Sequence, residues 1–315
     1  MYSKIKGCGS YLPEKVLTNA DLESILDTTD EWITTRTGIK KRHIIDEDQF
    51  TSDLAYEAAK IALSDAKLGP SDIDLIIVAT TTPDKVFPST ACILQKKLGI
   101  VECAAFDIQA VCSGFIYALS VADKFIKTKS AKNVLVVGAD AMSRITDYSD
   151  RGNAILWGDG SGAIILSSSN EEGILSTHIH ASGEHEELLH VPRKCQNGVK
   201  DTIEMKGNQV FKMAVNTLDM IVDETLSVNN LAKADIDWVV PHQANIRILE
   251  ATAKKLNMSM DKLIVTIDEQ GNTSAASIPL ALDFGIKQKK IKPGHLILME
   301  AFGGGFTWGS ALIRI

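Results

Sequence analysis

The stretch LGPSDIDLIIV, which begins at Leu68, returns as LAKADIDWVVP from Leu231, and the two align without a gap at an offset of 163 residues. Each copy follows a predicted amphipathic helix, Asp53 to Lys67 before the first and Gln209 to Leu226 before the second, with apolar residues three or four apart. Each copy also precedes a segment that ends in Lys-Lys-Leu. The order of helix, strand and helix is therefore repeated along the chain.

The repeat extends into neighbouring segments. DIQAVCSGFIYAL from Asp107 parallels DEQGNTSAASIPL from Asp268, and NVLVVGADA from Asn133 parallels HLILMEAFG from His295, at offsets of 161 and 162 residues. Strands that alternate with helices predict an α/β fold around a mostly buried sheet. We therefore predict two duplicated halves, residues 1–170 and 171–315. No linker rich in Pro, Gly or Ser separates them, so the halves are expected to share a continuous interface.

Composition and charge restrict the function classes. Of the 315 residues, 45% are hydrophobic and 23% are charged, as in a compact α/β protein. The net charge of -7 gives no general attraction to nucleic acid or to anionic lipid. The N-terminal MYSKIKGCGSYLP has no apolar run of signal-peptide length, and no segment reaches about 18 uninterrupted apolar residues. We therefore expect neither secretion, nor a membrane span, nor a nucleic-acid partner.

The cysteines and histidines argue against a metal site and a disulfide framework. Cysteine occurs five times, without a CxxC pair, at Cys8, Cys92, Cys103, Cys112 and Cys195. Such a distribution indicates reduced thiols in the cytoplasm. Four histidines lie between positions 178 and 190, but the string HEELLH misses the HExxH spacing of a zinc protease. We therefore expect no metal.

Cys112 is the first candidate for chemistry. It lies between a strand-like segment, AAFDIQ, and a helical one, FIYALSVADKFIKT. At the start of a helix, unpaired N–H groups and the helix dipole lower the pKa of a cysteine from about 8.5, and the small Ser113 and Gly114 leave the sulfur accessible. A lone cysteine is nevertheless more often an inert buried thiol. Its assignment as a nucleophile therefore depends on other groups that converge on it.

The second half supplies such groups. His242 follows the strand-like DIDWVV, at the end of a strand where α/β proteins commonly form their sites. Asn272, in GNTSAAS, aligns with Val111 at offset 161, one residue before the counterpart of Cys112. If the halves pack around a pseudo-twofold axis, all three side chains reach one cavity. The glycines of FGGGFTWGS, from Phe302, can bring backbone N–H groups to an oxyanion, although alone they predict only a tight turn.

The strings AVCSGF, PHQAN, GNTSAAS and FGGGFTWGS, in this order, resemble those of thiolase-type condensing enzymes, in particular the β-ketoacyl-[acyl carrier protein] synthase III family. The early TTDEWITTRTGI belongs to the same resemblance, which covers nearly the whole chain. One departure is Val111, where alanine is more usual and a larger side chain would narrow the pocket. The resemblance implies a five-layered αβαβα thiolase-like fold and a homodimer.

The resemblance also implies a mechanism. Cys112, His242 and Asn272 form the catalytic triad, and the backbone N–H groups of Cys112 and Gly304 hold the oxyanion. Cys112 takes a short acyl group, acetyl in our prediction, from acyl-CoA. Malonyl-acyl carrier protein then loses CO2, and the resulting enolate, held by His242 and Asn272, attacks the acyl-cysteine. No cofactor is implied, because acyl-CoA is a substrate.

The same resemblance indicates which type of condensing enzyme this chain is similar to. Elongating ketoacyl synthases pair two histidines with the cysteine, and biosynthetic thiolases add a second catalytic cysteine near the C-terminal glycines. This chain has Asn272 and no cysteine after Cys195. The initiating, decarboxylating enzyme of type II fatty acid synthesis is therefore predicted.

Further residues take their roles from the resemblance. Trp32 and Arg151 are matched to the two sides of the CoA adenine, Arg36 to its phosphates, and Thr28 more weakly to the same site. Phe87, in TPDKVFPST, is matched to the residue that crosses the dimer interface to close the partner's acyl pocket, where an aromatic ring favours short primers. If the family resemblance is set aside, these residues are more simply interpreted as surface or core residues that bind no ligand.

A basic set lies on the segments that flank His242. Acyl carrier proteins are strongly acidic, so complementary charge would steer their docking there. A run of charge is also commonly just a solvated face. The set consists of Lys212, Arg247, Lys254 and Lys255.

Three alternatives remain open at this point. A papain-like cysteine hydrolase also uses Cys, His and Asn, but this duplicated chain does not match its architecture. A catalytically idle module that binds acyl-CoA or carrier protein would share the fold, although the intact triad argues against it. Relatives that condense other acyl chains for specialised pathways share every motif named here.

Overall fold

The computed structural model describes residues 1–192 and 201–315, so Cys195 lies outside the described residues. Within them the strands, in chain order, are β1 (Tyr2–Tyr11), β2 (Lys15–Thr18), β3 (Lys41–Ile44), β4 (Leu75–Ala79), β5 (Ala104–Ile108), β6 (Asn133–Ala141), β7 (Asp159–Ser169), β8 (Ile174–Ala181), β9 (Leu189–His190), β10 (Glu204–Met205), β11 (Trp238–Pro241), β12 (Leu296–Gly303) and β13 (Thr307–Arg314). The helices are α1 (Asn19–Glu23), α2 (Asp30–Thr37), α3 (Thr51–Ala66), α4 (Thr90–Leu98), α5 (Gly114–Lys127), α6 (Arg151–Ala154), α7 (Gly207–Asn229), α8 (Ile246–Leu256), α9 (Ile267–Gln270) and α10 (Ser277–Lys287).

The two main sheets share one topology. The first has the strand order β1-β7-β6-β4-β5, and the second has the order β8-β13-β12-β11. The equivalent pairs β4 with β6 and β11 with β12 are parallel. Strands β7 and β13, which are also equivalent, run antiparallel to both of their neighbours. In the place of β5, the second half has a single parallel bridge between Val239 and Leu263. The strand order therefore reflects the duplication.

Five layers follow from the way in which the helices cover these sheets. Helices α3 and α4 pack on the outer face of the first sheet, and α7 and α8 pack on the outer face of the second. Helices α5 and α10 lie between the sheets, in a core that includes Phe115, Ile278 and Met299. Strand β4, LIIVA, is buried along its whole length, which explains its uninterrupted apolar sequence. The layers are those of the predicted αβαβα fold.

The two helices predicted around the repeat are confirmed as α3 and α7, with ends that differ by one to three residues from those predicted. The chain leaves the first sheet at Ser169 and enters the second at Ile174. Within residues 1–192 and 201–315, none of the helices combines the length and the apolarity that crossing a membrane requires.

The predicted alignment of the halves is wrong at two places. The pairing of Asn133 with His295 is out of register by one residue, because Val134 lies opposite Leu75 and Ile297 lies opposite Trp238, an offset of 163. The other place is the turn that contains Cys112. Short 3-10 turns precede α5 and α10 at an offset of 163 residues, and their first residues, Val111 and Ser274, share a positive φ, 48° and 52°. The counterpart of Cys112 is therefore Ala275, and Asn272 lies three residues before it instead of one. The physical reason is that the second half forms the short helix α9 where the first half has β5, so the local match of sequence there is out of register.

Candidate active site

Cys112 lies in the 3-10 turn between β5 and α5, and its side chain is only 3% exposed. Burial raises the pKa of its thiol to about 12; the Ser274 hydroxyl lowers that pKa only in part, and the charge of Asp140 raises it further. The prediction that the helix start lowers this pKa is therefore wrong for the resting protein, because loss of hydration outweighs the helix. Cys112 therefore rests as a thiol and not as a thiolate.

The turn with Cys112 packs tightly against the end of β12. A Cβ atom on Gly303 would lie 2.8 Å from the backbone nitrogen of Cys112 and 3.0 Å from that of Ser113, so glycine is required there. Val111 takes a left-handed conformation that a β-branched residue rarely adopts, and backbone strain of this kind is typical of active sites. Gly304, the predicted second oxyanion donor, lies beside Val111, since a Cβ on it would be 3.5 Å from that side chain.

His242 directly follows β11, at the carboxyl end of the sheet, and is buried. Its Nδ1 lies 2.6 Å from the Ser277 hydroxyl oxygen. The backbone N–H of Gln243 donates to the same oxygen at 3.4 Å. Burial lowers the pKa of His242 to about 3, so the ring is neutral. In the tautomer with the proton on Nε2, Nδ1 accepts the hydroxyl proton of Ser277 and Nε2 is a hydrogen-bond donor.

Asn272 is held in one orientation by its neighbours. Its Oδ1 accepts the backbone N–H of Ser274 at 2.9 Å, so the amino group of the amide is left to donate. Its backbone N–H donates to the carbonyl of Leu156 at 2.8 Å, and its carbonyl accepts the N–H of Gly158 at 3.0 Å. The second half therefore presents one oriented N–H donor, from Asn272, beside the neutral ring of His242.

One cavity of about 340 Å³ is bordered by Cys112, His242 and Asn272 together. The structure thus brings the three predicted catalytic residues, one from the first half and two from the second, to the same space. The exposed Arg36 and Arg247 also border this cavity and mark its outer end. Its walls are largely apolar and include Trp32, Phe211, Ala214, Leu218, Ile248 and Phe302.

The residues matched to CoA lie near that outer end, but they are not arranged around a gap. The guanidinium of Arg151 is 4.8 Å from the centroid of the Trp32 ring, and that of Arg36 is 5.6 Å from it. A ring inserted between Trp32 and Arg151 needs more space than this, so Arg151 has to move outward first. It also donates a hydrogen bond to the carbonyl of Asp27 at 3.0 Å. Thr28 does not border this cavity, and its buried hydroxyl has no hydrogen-bond partner within the described ranges.

Phe87, matched to the acyl pocket, lies between β4 and α4 and is 82% exposed. The adjacent Val86, 79% exposed, borders a second cavity of about 970 Å³ that also contacts Val111 and Gly304. Phe87 does not border this cavity in its own chain. Two neighbouring large apolar side chains in solvent are typical of a contact surface.

The four basic residues lie on two adjacent helices, Lys212 on α7 and the other three on α8, and all are exposed. Arg247 stacks its guanidinium on Phe211 at 5.5 Å. Lys255 forms an ion pair with Asp219 at 2.8 Å, which partly neutralises its charge. The structure therefore brings the basic set to one surface next to the cavity.

The clustered histidines make carboxylate contacts. His178 Nδ1 and His180 Nε2 contact the two oxygens of Glu224 at 3.1 and 2.8 Å. His190 lies on a different element and contacts Glu204 at 3.6 Å. These residues therefore do not converge on one point.

Four polar residues of this region were not predicted from sequence. Ser274 and Ser277 follow Asn272 within one motif, and that spacing was the available signal. Asp140 is fully buried and accepts backbone N–H groups of Thr81, Thr82 and Ala275 at 2.8, 3.1 and 3.1 Å. Glu300 borders the cavity from β12, and an acidic residue in the apolar LILMEAFG was its signal.

Comparison with known proteins agrees with this architecture. Residues 106–183 match the family described as 3-Oxoacyl-[acyl-carrier-protein (ACP)] synthase III, and residues 226–315 match its C-terminal part. A beta-ketoacyl-[acyl-carrier-protein] synthase III of Thiobacillus denitrificans is 63% identical over 316 residues, with 99% of both chains covered. The chain belongs to the β-ketoacyl-[acyl carrier protein] synthase III family. The synthase III structure from Aquifex aeolicus has a TM-score of 0.96 and 51% identity, covering 99% of this chain and 100% of that one.

Membership of the synthase III family confirms the resemblance and the thiolase-like fold predicted from the motifs. The chain is an acyltransferase, the initiating condensing enzyme of fatty acid synthesis. The priming beta-ketosynthase of the R1128 polyketide pathway is also similar, with a TM-score of 0.95 and 32% identity over 99% of this chain and 96% of that one. Synthase III architecture is therefore shared by priming enzymes of different pathways.

Proposed function

We propose that this synthase III takes a short acyl group, acetyl by preference, from acyl-CoA onto Cys112 and condenses it with malonyl-acyl carrier protein. The observation that carries the proposal is the cavity that Cys112 borders together with the neutral ring of His242 and the oriented amide of Asn272. Two neutral donors aimed at one space suit an enolate oxygen, because they stabilise developing negative charge without competing for protons.

In the first half-reaction, the sulfur of Cys112 attacks the thioester carbonyl of acyl-CoA, and the oxyanion is held by the N–H groups of Cys112 and Gly304. The C–S bond to CoA breaks and the electron pair leaves on the CoA sulfur. Because Cys112 rests as a thiol, its proton is lost during the attack and is balanced by the proton that the CoA thiolate takes up. No net proton is consumed in this step.

In the second half-reaction, the C–C bond to the malonyl carboxylate breaks, CO2 leaves, and the electron pair forms an enolate. Nε2 of His242 and the amino group of Asn272 donate hydrogen bonds to its oxygen. The enolate carbon attacks the acyl-Cys112 carbonyl, and the C–S bond breaks with the electron pair left on sulfur. The product is 3-ketoacyl-acyl carrier protein. A His242 ring that stays neutral acts here by donation of its N–H and not as an acid.

For substrate binding, we propose that the adenine of CoA stacks on Trp32 after Arg151 moves aside, with the guanidinium groups of Arg36 and Arg151 on its phosphates. Thr28 is a peripheral member of this site. The basic surface of α7 and α8 is the proposed docking site of the acidic carrier protein, with Arg247 at the rim of the cavity.

We also propose a homodimer. Strand β5 is the outer strand of the first sheet, so its free edge can pair with a second copy. The exposed Phe87 of the partner would then reach the cavity of about 970 Å³ beside Val111 and shorten it, which would favour short primers. The division into halves at residues 1–170 and 171–315 and a cytoplasmic location, where the thiol of Cys112 stays reduced, belong to the same proposal.

A panel of acyl-CoA primers with malonyl-acyl carrier protein tests the function. The expected result is 3-ketoacyl-acyl carrier protein from acetyl-CoA, with rates that fall as the primer lengthens. Comparable rates with a long straight-chain primer would refute the preference for short acyl groups. Absence of condensed product with every primer would refute the condensation itself.

A further inference from the structure

The proposed condensation ends with a proton deficit at a buried atom. When the C–S bond to Cys112 breaks, the electron pair stays on sulfur, and CO2 carries no proton into or out of the cavity. Burial raises the pKa of this thiol to about 12, so the thiolate takes up one proton before the next cycle. His242 cannot supply it as an acid, because burial lowers its pKa to about 3. A donor is therefore required that holds a proton at neutral pH and reaches this cavity.

Glu300 has the chemistry of such a donor. It lies on β12 between Leu298 and Phe302, on the face of the sheet that α7 and α8 cover, and is 1% exposed. Neither carboxyl oxygen has a hydrogen-bond partner of good geometry within the described residues. Burial raises the pKa of this carboxyl to about 8, Thr252 lowers it in part, and Asp219 adds to the increase. Glu300 is thus predominantly a neutral acid at pH 7.

Glu300 also lies between two cavities. On one side is the active-site cavity of about 340 Å³, bordered by Cys112 and His242. On the other side is a cavity of about 10 Å³, the space of roughly one water molecule, bordered by Asp219 and Lys255. That ion pair measures 2.8 Å, and its side chains are 30% and 49% exposed. The small cavity therefore leads from Glu300 towards the surface between α7 and α8.

The groups around the carboxyl come from every neighbouring element. Helix α7 contributes Asp219, and helix α8 contributes Lys255 and the hydroxyl of Thr252. The loop after β11 contributes His242, whose backbone N–H donates to the carbonyl of Glu300 at 2.9 Å. On β13, Ser310 is opposite Glu300 in register but its hydroxyl is bonded to Thr225 at 2.6 Å. Glu300 is accordingly the neutral acid placed between the surface ion pair and the reacting sulfur.

We propose that Glu300 relays a proton from the α7–α8 surface into the active-site cavity and so restores the thiol of Cys112 after each condensation. This inference rests on the proposed function. The O–H bond of Glu300 breaks as water in the cavity accepts the proton, and that water passes a proton to the sulfur. The carboxylate regains a proton from solvent by way of the small cavity. This route stays open when a substrate fills the entrance at Trp32 and Arg247.

Glu300→Gln tests the relay, because the amide keeps the shape of the acid and cannot release a proton. First-turnover acylation of Cys112 by labelled acetyl-CoA is expected to stay within about twofold of wild type, since that step consumes no proton. The kcat of condensation is expected to fall about tenfold or more, with KM little changed and a larger solvent deuterium isotope effect. In wild type, kcat is expected to fall as pH rises through about 8, because Glu300 loses its proton. This alkaline limb of the pH–rate profile is expected to be absent in Glu300→Gln.

Two variants serve as controls. Asp219→Asn removes a charge that raises the pKa of Glu300, so the limb should persist but move to lower pH. Glu300→Asp keeps an acid and should keep a limb. A Glu300→Gln protein with the kcat and pH limb of wild type would overturn the relay, and so would loss of first-turnover acylation, which would indicate a structural role. An unmoved limb in Asp219→Asn, or a Glu300→Asp protein without a limb, would contradict the assignment of the limb to Glu300. Failure of wild type itself to condense would overturn the proposed function, and the relay with it.

Discussion

At the scale of single residues, the proposed chemistry depends on which nitrogen of His242 carries the proton. The ring is neutral, and we propose that Nδ1 accepts the hydroxyl proton of Ser277, so that Nε2 carries the proton. An enolate needs that donor, whereas attack of Cys112 on acyl-CoA does not. Ser277 is therefore a positioning residue for the second half-reaction.

Ser277→Ala should consequently separate the two half-reactions. We expect kcat for condensation to fall about tenfold, while first-turnover acylation of Cys112 changes less than about twofold, because one buried hydrogen bond to the ring is lost. Nitrogen NMR of His242 should show a mixed tautomer in place of a single one. The matched control is Ser120→Ala, a buried serine that bonds to Thr177 at 2.8 Å away from the cavity. An equal decrease in both half-reactions would contradict the role given to Ser277.

The pKa of Glu300 makes a second prediction, which concerns stability. Its folded value of about 8 lies above the ordinary 4.5, so the folded state binds the proton more tightly than the unfolded state does. The resulting stabilisation is complete below pH 4.5 and is lost as pH rises to about 8. The free energy of unfolding of Glu300→Gln minus that of wild type should therefore increase with pH in this window, by up to about 1.4 kcal/mol per pH unit. Denaturant titrations at several pH values measure it, and a pH-independent difference would contradict the buried acid.

At this scale the sequence predicted some of the site residues but not all of their properties or partners. Cys112, His242 and Asn272 were found from motifs, because each lies in a short string at the end of a predicted element, and the structure brings them to one cavity. The pKa of Cys112 was predicted in the wrong direction, because burial is set by every element that packs on the turn and not by the local helix alone. The contributions of Ser277 and Glu300 to the site could not be predicted from the sequence, because the residues that they contact are distant along the chain.

At the scale of elements, the repeat was sufficient to predict α3, β4, α7 and β11, since each copy supports the other. It failed where the copies differ, at β5 and α9, and the error of two residues displaced the counterpart of Cys112. A gapless match cannot detect that a strand has become a short helix. The three-dimensional turn, with its positive φ at Val111 and Ser274, identifies the true equivalence.

The helix pair α7 and α8 carries the docking prediction. Arg247→Glu should raise KM for malonyl-acyl carrier protein about tenfold and KM for acyl-CoA less, because an acidic protein partner meets the reversed charge over a wider surface. The difference should shrink at high salt. Lys60→Glu on α3, an exposed lysine on the opposite outer layer, is the control. Equal increases for the two substrates would count against a carrier-protein surface.

At the scale of the whole molecule, the proposed active site takes residues from both of the proposed halves. The sulfur comes from the first half and both N–H donors from the second, while the backbone of Asn272 is bonded to Leu156 and Gly158 of the first. The duplication in the sequence predicted that these side chains converge on one cavity. It could not show the homodimer, which depends on the edge of β5 and the exposed Phe87, and which therefore stays a proposal based on the family.

Phe87 makes the dimer testable through specificity. Phe87→Ala should raise the ratio of kcat/KM for octanoyl-CoA to that for acetyl-CoA at least about tenfold, since each partner's pocket loses its aromatic wall. Sedimentation shows whether the dimer is retained. Val228→Ala, which changes another exposed apolar residue on the end of α7, should leave the ratio unchanged. An unchanged ratio in a dimeric Phe87→Ala enzyme would show that Phe87 does not limit primer length.

The central claim, that Cys112 carries the acyl group during condensation, is tested by the mass of the enzyme after acetyl-CoA and again after malonyl-acyl carrier protein. The account predicts a gain of one acetyl group on the peptide with Cys112, its complete loss when malonyl-acyl carrier protein is added, and an equal amount of 3-ketoacyl-acyl carrier protein. Cys112→Ser should show neither step, and Cys92→Ser should show both. Acetyl found on another residue, or an acetyl-Cys112 that malonyl-acyl carrier protein does not discharge, would contradict it.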